Sequence, residues 1–268
     1  MKILWGIILL IFQVHAYELI NGHVTFLMFD TNGTKALYKD GVSIPLLKHP
    51  TRQDKAIALI AVPYRHSEPI TLLHVKQHEK ETFKLSITKG IYAQEVLSVE
   101  PSKVSPPKEM LSRINAEAEE AKALYATFTP KRYWNSPFIS PLQNPITSEY
   151  GTARVFNDTL QSYHSGVDFR ASVGTPIVAS NDGVVVIAKE RYYAGGSVVI
   201  DHGEGIYSVY YHLSSIAPKV GDRLKKGGFL GLSGATGRVT GPHLHFGFMV
   251  QGIPVEPLDF IHKLNALF

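Results

Sequence analysis

Two short motifs in the C-terminal half of the chain carry side chains that bind divalent metals. The first is His164-Ser165-Gly166-Val167-Asp168. A neutral imidazole and a carboxylate are both good zinc ligands. Gly166 frees the backbone between them to bend, so that both can reach one ion. The second is His243-Leu244-His245, followed by Phe246-Gly247-Phe248. Residues two apart on a strand share a face. Both imidazoles then project into one site, while Leu244 and Phe246 turn to the core. His212 follows the apolar run Val209-Tyr210-Tyr211, and strand alternation points Tyr211 away from it. Imidazoles and a carboxylate around an ion with one vacant position support metal-assisted hydrolysis. The chain has no cysteine. That excludes disulfides, thiolate zinc sites and a cysteine nucleophile.

The elements that must position these groups fall into three zones. From about Ile146 to the end the chain is dense in β-rich runs and glycine turns. Thr175–Ala179 and Gly183–Ala188 flank Ser180-Asn181-Asp182, which predicts a hairpin. Ser197–Ile200 and Ile206–His212 flank Gly203-Glu204-Gly205, and Leu244–Val250 forms a late strand. Helical periodicity is almost absent here, so an antiparallel β domain is expected over 146–268. A connector precedes it. Pro106-Pro107 opens a helix whose apolar face is read as Met110, Leu111, Ile114, Ala118, Ala121, Leu124 and Tyr125. Glu117, Glu119 and Glu120 are placed mainly on its solvated side. The Pro-rich stretch that completes 106–145 carries Trp134 as a candidate anchor.

The first zone, 17–105, alternates short β-rich runs with turn formers. The runs are His23–Phe29, Ala56–Val62, Ile70–His74, Thr82–Ile87 and Glu95–Val99. Asn32-Gly33, Asp40-Gly41 and Lys89-Gly90 separate them, and a β-sandwich-like domain is expected. Residues 1–16 read as a signal peptide: Lys2, the apolar run Ile3 to Val14, and Val14-His15-Ala16 as the cleavage site. The run is shorter than the ~20 residues that span a bilayer. Export is therefore expected, with no stable membrane span after signal removal.

The 268 residues, 44% of them hydrophobic, allow a sizeable core. A net charge of +4 is only a mild basic bias, and the basic residues form no cluster, so nucleic-acid binding has little support. Two motif fragments are set aside. His78-Glu79-Lys80-Glu81-Thr82 lacks the second His of a zinc helix. Gly231-Leu232-Ser233-Gly234-Ala235 lacks the last Gly of a serine-hydrolase elbow. His202, at a hairpin corner, reads as structural.

From about Ile146 to Pro257 the chain resembles the M23 metallopeptidases, the lysostaphin and LytM-like family of peptidoglycan endopeptidases. The resemblance rests on Tyr163-His164-Ser165-Gly166-Val167-Asp168-Phe169, Gly174-Thr175-Pro176-Ile177-Val178-Ala179, Tyr211-His212-Leu213, Val220-Gly221-Asp222 and Gly241-Pro242-His243-Leu244-His245-Phe246, in the family's order. It implies Zn2+ held by His164, Asp168 and His245. His243 is then the candidate general base, and His212 the residue that hydrogen-bonds the water or the tetrahedral oxyanion. The expected fold is mainly β: an N-terminal β-sandwich-like domain, a linker helix and a C-terminal LytM-like peptidase domain. The implied substrates are peptidoglycan stem peptides, cut by a D,D-endopeptidase with possible D,D-carboxypeptidase activity, in the periplasm. Tyr163 and the loop around Gly195-Gly196 are read as either groove lining or core and turn. Ile57 to Trp134 is similar to the N-terminal domain and linker of Gram-negative, cell-shape-related members, and that domain is expected to restrain access to the site. The alternative is a non-catalytic regulator of other wall hydrolases.

Overall fold

The computed structural model of the protein describes residues 19–97, 106–156 and 160–268. The signal-like segment, the last two residues of the run Glu95–Val99 and the boundary at residue 105 lie outside the described residues.

The N-terminal region is built from β1 (Leu19–Ile20), β2 (Val24–Asp30), β3 (Thr34–Lys39), β4 (Val42–Ile44), β5 (Leu47–Lys48), β6 (Lys55–Ala61), β7 (Ile70–Lys76), β8 (Lys80–Leu85), β9 (Ile87–Thr88) and β10 (Gln94–Leu97). One sheet runs β2-β6-β5 and another β4-β3-β7-β8. Asp40 and Gly41 both take positive φ between the paired residues Lys39 and Val42. That is the backbone a two-residue hairpin requires. Leu27, Leu37, Ile60 and Leu72 form a core with residues of both sheets. β6 is buried on both faces, which is why its sequence is an unbroken apolar run. Ala58 and Ile60 join that core, while Ile57, Leu59 and Ala61 join the core of the C-terminal region.

A 3-10 turn at Lys108–Met110 leads into helix α1 (Leu111–Tyr125). Its docked face differs from the expected one. Ala121 and Tyr125 are buried, but Leu111 and Ala118 are exposed. Glu117 is on the docked side: its carboxylate accepts the Tyr192 N–H at 2.8 Å and pairs with Arg113 at 2.8 Å. A backbone donor in the turn at residues 192–194 draws that polar residue inward, which helical periodicity alone does not reveal.

The C-terminal region contains β11 (Ile146–Ser148), β12 (Ala153–Phe156), β13 (Leu160–Tyr163), β14 (Val167–Arg170), β15 (Pro176–Val178), β16 (Gly183–Arg191), β17 (Gly195–Gly203), β18 (Ile206–Ile216), β19 (Arg223–Leu224), β20 (Phe229–Ser233), β21 (His243–Val250), β22 (Ile253–Val255) and helix α2 (Pro257–Asn265). The main sheet runs β11-β14-β21-β18-β17-β16-β19 through antiparallel pairs, with β15, β20 and β22 on side branches. The hairpin at Ser180-Asn181-Asp182 does not form. β15 pairs with β20, and β16 with β17 and β19. Ser180 and Asn181 are fully buried, and the Asn181 amide donates to the Ser136 carbonyl at 2.8 Å. The segment is thus an anchored corner rather than a solvated turn. Helix α2 is also unforeseen. The Glu256 side chain accepts the N–H groups of Leu258 and Asp259 at its start, Pro257 occupies its first turn, and Phe260 and Leu264 are buried. Among the described residues no helix is long and apolar enough to cross a membrane.

Candidate active site

The site is built on adjacent strands β14 and β21. Asp168 lies directly opposite His245 in their antiparallel register, and Arg170 opposite His243. Opposed residues project to one face. Leu244 and Phe246, of opposite phase, are fully buried on the other. His164 arrives from the end of β13. Its backbone is pinned by His164 N–H to Thr152 O at 2.9 Å and by Gly151 N–H to His164 O at 2.8 Å.

The three side chains converge. His164 Nε2 lies 2.9 Å from both Asp168 Oδ1 and His245 Nδ1, and His245 Nδ1 lies 3.0 Å from Asp168 Oδ1. All three residues are buried. His164 Nδ1 sits 2.9 Å from the Glu149 carbonyl oxygen. A carbonyl only accepts, so Nδ1 carries a proton and the neutral ring turns the Nε2 lone pair inward. Lone pairs of two imidazoles and a carboxylate facing one point call for a cation among them. The donor set fits a divalent metal such as zinc. Burial alone would raise the Asp168 carboxyl, but the imidazoles of His164 and His245 beside it outweigh burial and hold it well below the usual carboxylate range. Burial pushes the His245 imidazole down, toward the neutral form that a ligand needs.

Gly166 serves this geometry differently from the expected way. Its φ lies outside the left-handed region. What matters is close approach: a Cβ there would come 2.4 Å from the Phe246 carbonyl oxygen and 2.7 Å from His245 Nε2.

His212 and His243 stand beside the cluster, with ring centroids 4.8 Å apart. Each is fixed through Nδ1, His212 on the Thr236 carbonyl and His243 on the Gly241 carbonyl, both at 2.9 Å. His243 Nε2 lies 3.7 Å from Asp168 Oδ1. His212 has φ of 65°, a left-handed conformation rare for non-glycine residues and often found at functional sites. It follows Tyr211, and there the simple alternation expected of the strand fails. Tyr211 does not turn away from the site. It pairs with His245 across β18 and β21, and its ring lies over that imidazole at 5.3 Å with 4° between the planes.

Thr236 was not singled out by sequence reasoning. Its carbonyl orients His212, while its hydroxyl accepts the Gly196 N–H at 2.9 Å and donates to the Leu213 carbonyl at 2.8 Å. Glu149 and Gly241 act through carbonyl oxygens, which any residue type supplies. Gly195 and Gly196 open β17; a Cβ on Gly195 would meet Thr236, and one on Gly196 would meet the Leu213 backbone. Tyr163 stacks on Tyr64 of the N-terminal region, 4.0 Å between centroids and 6° between planes. His202 is fully buried between the Asp182 carbonyl at 2.8 Å and the Ser208 hydroxyl at 2.7 Å.

Residues 162–257 match the model of peptidase family M23. Over 95 residues the chain is 50% identical to the peptidoglycan DD-endopeptidase ShyA of Vibrio cholerae, covering 35% of this chain and 22% of that protein. Over 96 residues it is 40% identical to the DD-carboxypeptidase/endopeptidase Mpg of Neisseria meningitidis, covering 36% and 22%. The matched part thus spans about a fifth of these relatives' length. A crystal structure of a candidate peptidase M23 from Pseudomonas aeruginosa is similar over 90% of this chain and 94% of its own, with a TM-score of 0.70 and 27% identity.

Proposed function

We propose that this chain, whose residues 162–257 form a peptidase family M23 domain, is a zinc-dependent hydrolase of the peptide cross-links of peptidoglycan. It acts as a D,D-endopeptidase, with D,D-carboxypeptidase activity on the same stem peptides. The observation that carries this reading is the convergence of His164 Nε2, Asp168 Oδ1 and His245 Nδ1 within 3.0 Å of one another, beside two further anchored imidazoles. The names of the matched relatives, one a DD-endopeptidase and one a DD-carboxypeptidase/endopeptidase, support the substrate class.

His164, Asp168 and His245 would hold the zinc. Bound there, zinc supplies Lewis acidity and lowers the pKa of a water to near 7. His243 keeps Nδ1 on a carbonyl and Nε2 toward the site, so Nε2 takes the proton of the attacking water. Water adds to the scissile carbonyl carbon to give a tetrahedral intermediate, and as this collapses and the C–N bond breaks, the His243 imidazolium delivers its proton to the leaving amine nitrogen. His212 has the same tautomer, with Nδ1–H spent on Thr236 O. Its Nε2 is then an acceptor. That suits holding the water by one of its protons better than donating to an oxyanion. The signal-like N-terminus supports work in the envelope, in the periplasm, on the wall.

Digestion of purified sacculi, with released muropeptides identified by mass spectrometry, tests this reading. Wild-type protein should release uncrosslinked monomers. His243→Ala should keep its zinc and lose most turnover, on the order of 100-fold or more. Full turnover in that variant would remove the assigned base, and intact sacculi with zinc-loaded wild type would remove the activity.

A further inference from the structure

The site leans on a part of the chain outside the matched segment. Helix α1 packs on the same sheet face as the candidate ligands. Ala121 and Tyr125 share a buried cluster with Ile187, Val199, Tyr207 and Val209, with Tyr211 packed against it. The helix is tied to the end of β16 at several points. Arg191 donates to the Glu117 carbonyl at 2.8 Å, Tyr192 N–H donates to the Glu117 carboxylate, and Lys189 pairs with Glu120 at 2.7 Å. At its C-terminal end the Tyr125 hydroxyl lies 3.2 Å from the Tyr211 hydroxyl. The Tyr125 ring meets the edge of Tyr207 at 5.6 Å, and the Tyr207 hydroxyl in turn reaches Thr127.

Tyr211 is the joint between helix and site. Its cross-strand partner is His245, and that imidazole lies parallel beneath its ring. A centroid distance of 5.3 Å with parallel planes is an offset stack, a favoured aromatic arrangement. A stacked ring resists tilting of the imidazole, and tilting is the motion that would swing Nδ1 away from His164 and Asp168. The tyrosine ring is in turn steadied at its far end by the Tyr125 hydroxyl. Outer partners of metal-bound imidazoles usually act through hydrogen bonds to the second ring nitrogen. Here a ring face does the holding, and its anchor comes from the linker helix.

We propose that Tyr211 and Tyr125 are positioning residues for the candidate metal ligand His245, so that helix α1 is built into the metal site rather than being a passive spacer. The inference rests on the zinc reading above. It adds that metal affinity and ligand geometry depend on residues 106–125 through one hydroxyl pair and one ring stack.

The test measures zinc affinity of the full chain by competition with a chromophoric chelator, alongside the visible absorption spectrum of the Co(II)-substituted protein. Tyr211→Leu removes the stack and should weaken zinc binding by about 10–100-fold, with altered Co(II) bands. Tyr211→Phe keeps the ring and should restore most of the loss. Tyr125→Phe and Tyr211→Phe both delete the Tyr125–Tyr211 hydrogen bond, and Tyr125→Phe also removes a contact with Arg191. Each should cost about two- to five-fold, and the double variant should cost no more than Tyr125→Phe alone. Wild-type affinity and an unchanged Co(II) spectrum in Tyr211→Leu would overturn the inference while leaving the zinc reading intact. If Tyr211→Leu does not fold, additive losses in the two Phe variants, or no loss in either, overturn it equally. Failure of the wild type to bind one zinc per chain would remove the zinc reading and this inference with it.

Discussion

At the scale of single residues, the candidate site depends on what is missing as much as on what is present. Gly166 has no side chain because the Phe246 carbonyl and His245 Nε2 occupy the space a Cβ would fill. Gly166→Ala should therefore push β14 and β21 apart and move His245 off the cluster. A loss of zinc binding together with about 1–3 kcal/mol of stability is expected, the cost of overpacking, read from chelator competition and a urea melt. His202 makes a different prediction. Burial pushes its imidazole down to about 4 from an ordinary 6.5, against a smaller opposing pull from Asp182. Above pH 6.5 the ring is neutral folded and unfolded, so it adds no pH dependence. As pH falls from 6.5 toward 4 only the unfolded chain gains the proton, and stability is lost by up to about 3 kcal/mol. Below 4 the effect is flat. In urea midpoints taken across this window, the difference between wild type and His202→Gln should shrink as pH falls. A constant difference would contradict the assignment. Of the five candidate site residues, strand spacing alone paired only His243 with His245; the set as a whole was suggested by the resemblance, because imidazole and carboxylate side chains are chemically distinctive. Thr236, Glu149 and Gly241 were not legible in the sequence, because their contribution is a carbonyl oxygen placed by the fold.

At the scale of elements, the strands around the site follow from the sequence where turn chemistry is local. Asp40-Gly41, read only as a turn, closes the β3–β4 hairpin, and Glu204-Gly205 makes the turn expected between β17 and β18. The failure at Ser180-Asn181-Asp182 has a non-local cause. Those residues bond to Ser136 and Lys226, far away in sequence, and β15 finds its partner in β20. The docked face of α1 was misjudged because Glu117 is satisfied by a β16–β17 backbone group that no helical wheel contains. The late helix α2 shows a cap signal in hindsight, Glu256 followed by Pro257. Glu256→Ala should remove acceptors from two helix N–H groups and lower unfolding free energy by about 1–2 kcal/mol, measured by urea denaturation. Glu256→Gln, which keeps an acceptor, should lose less.

At the scale of the whole molecule, the two β regions share one interior. Ile57, Leu59 and Ala61 of β6 belong to the same buried cluster as Trp134, Phe138 and Phe260. Phe26 stacks on Phe260 at 5.9 Å, His23 pairs with Asp259 at 2.8 Å, and β10 runs parallel to β12 beside the hairpin that leads to His164. Composition shows two β-rich zones but not that one sheet is covered on both faces by them. A shared core predicts that the chain unfolds in one cooperative step, with far-UV and near-UV signals coincident. Two resolved transitions would mean that the regions are energetically separate. The same contacts bear on the proposal that the N-terminal region restrains access to the site: its removal would expose a core face as well as lift any restraint.

His164, Asp168 and His245 are grouped so that they could hold one metal ion, and the proposed function rests on that ion being zinc. Elemental analysis of purified full-length protein, wild type beside His245→Ala and Asp168→Ala, tests that claim most directly. One zinc per chain is predicted for the wild type, and close to none for either variant. A wild type without zinc after incubation with the metal, or variants that retain a full equivalent, would contradict it.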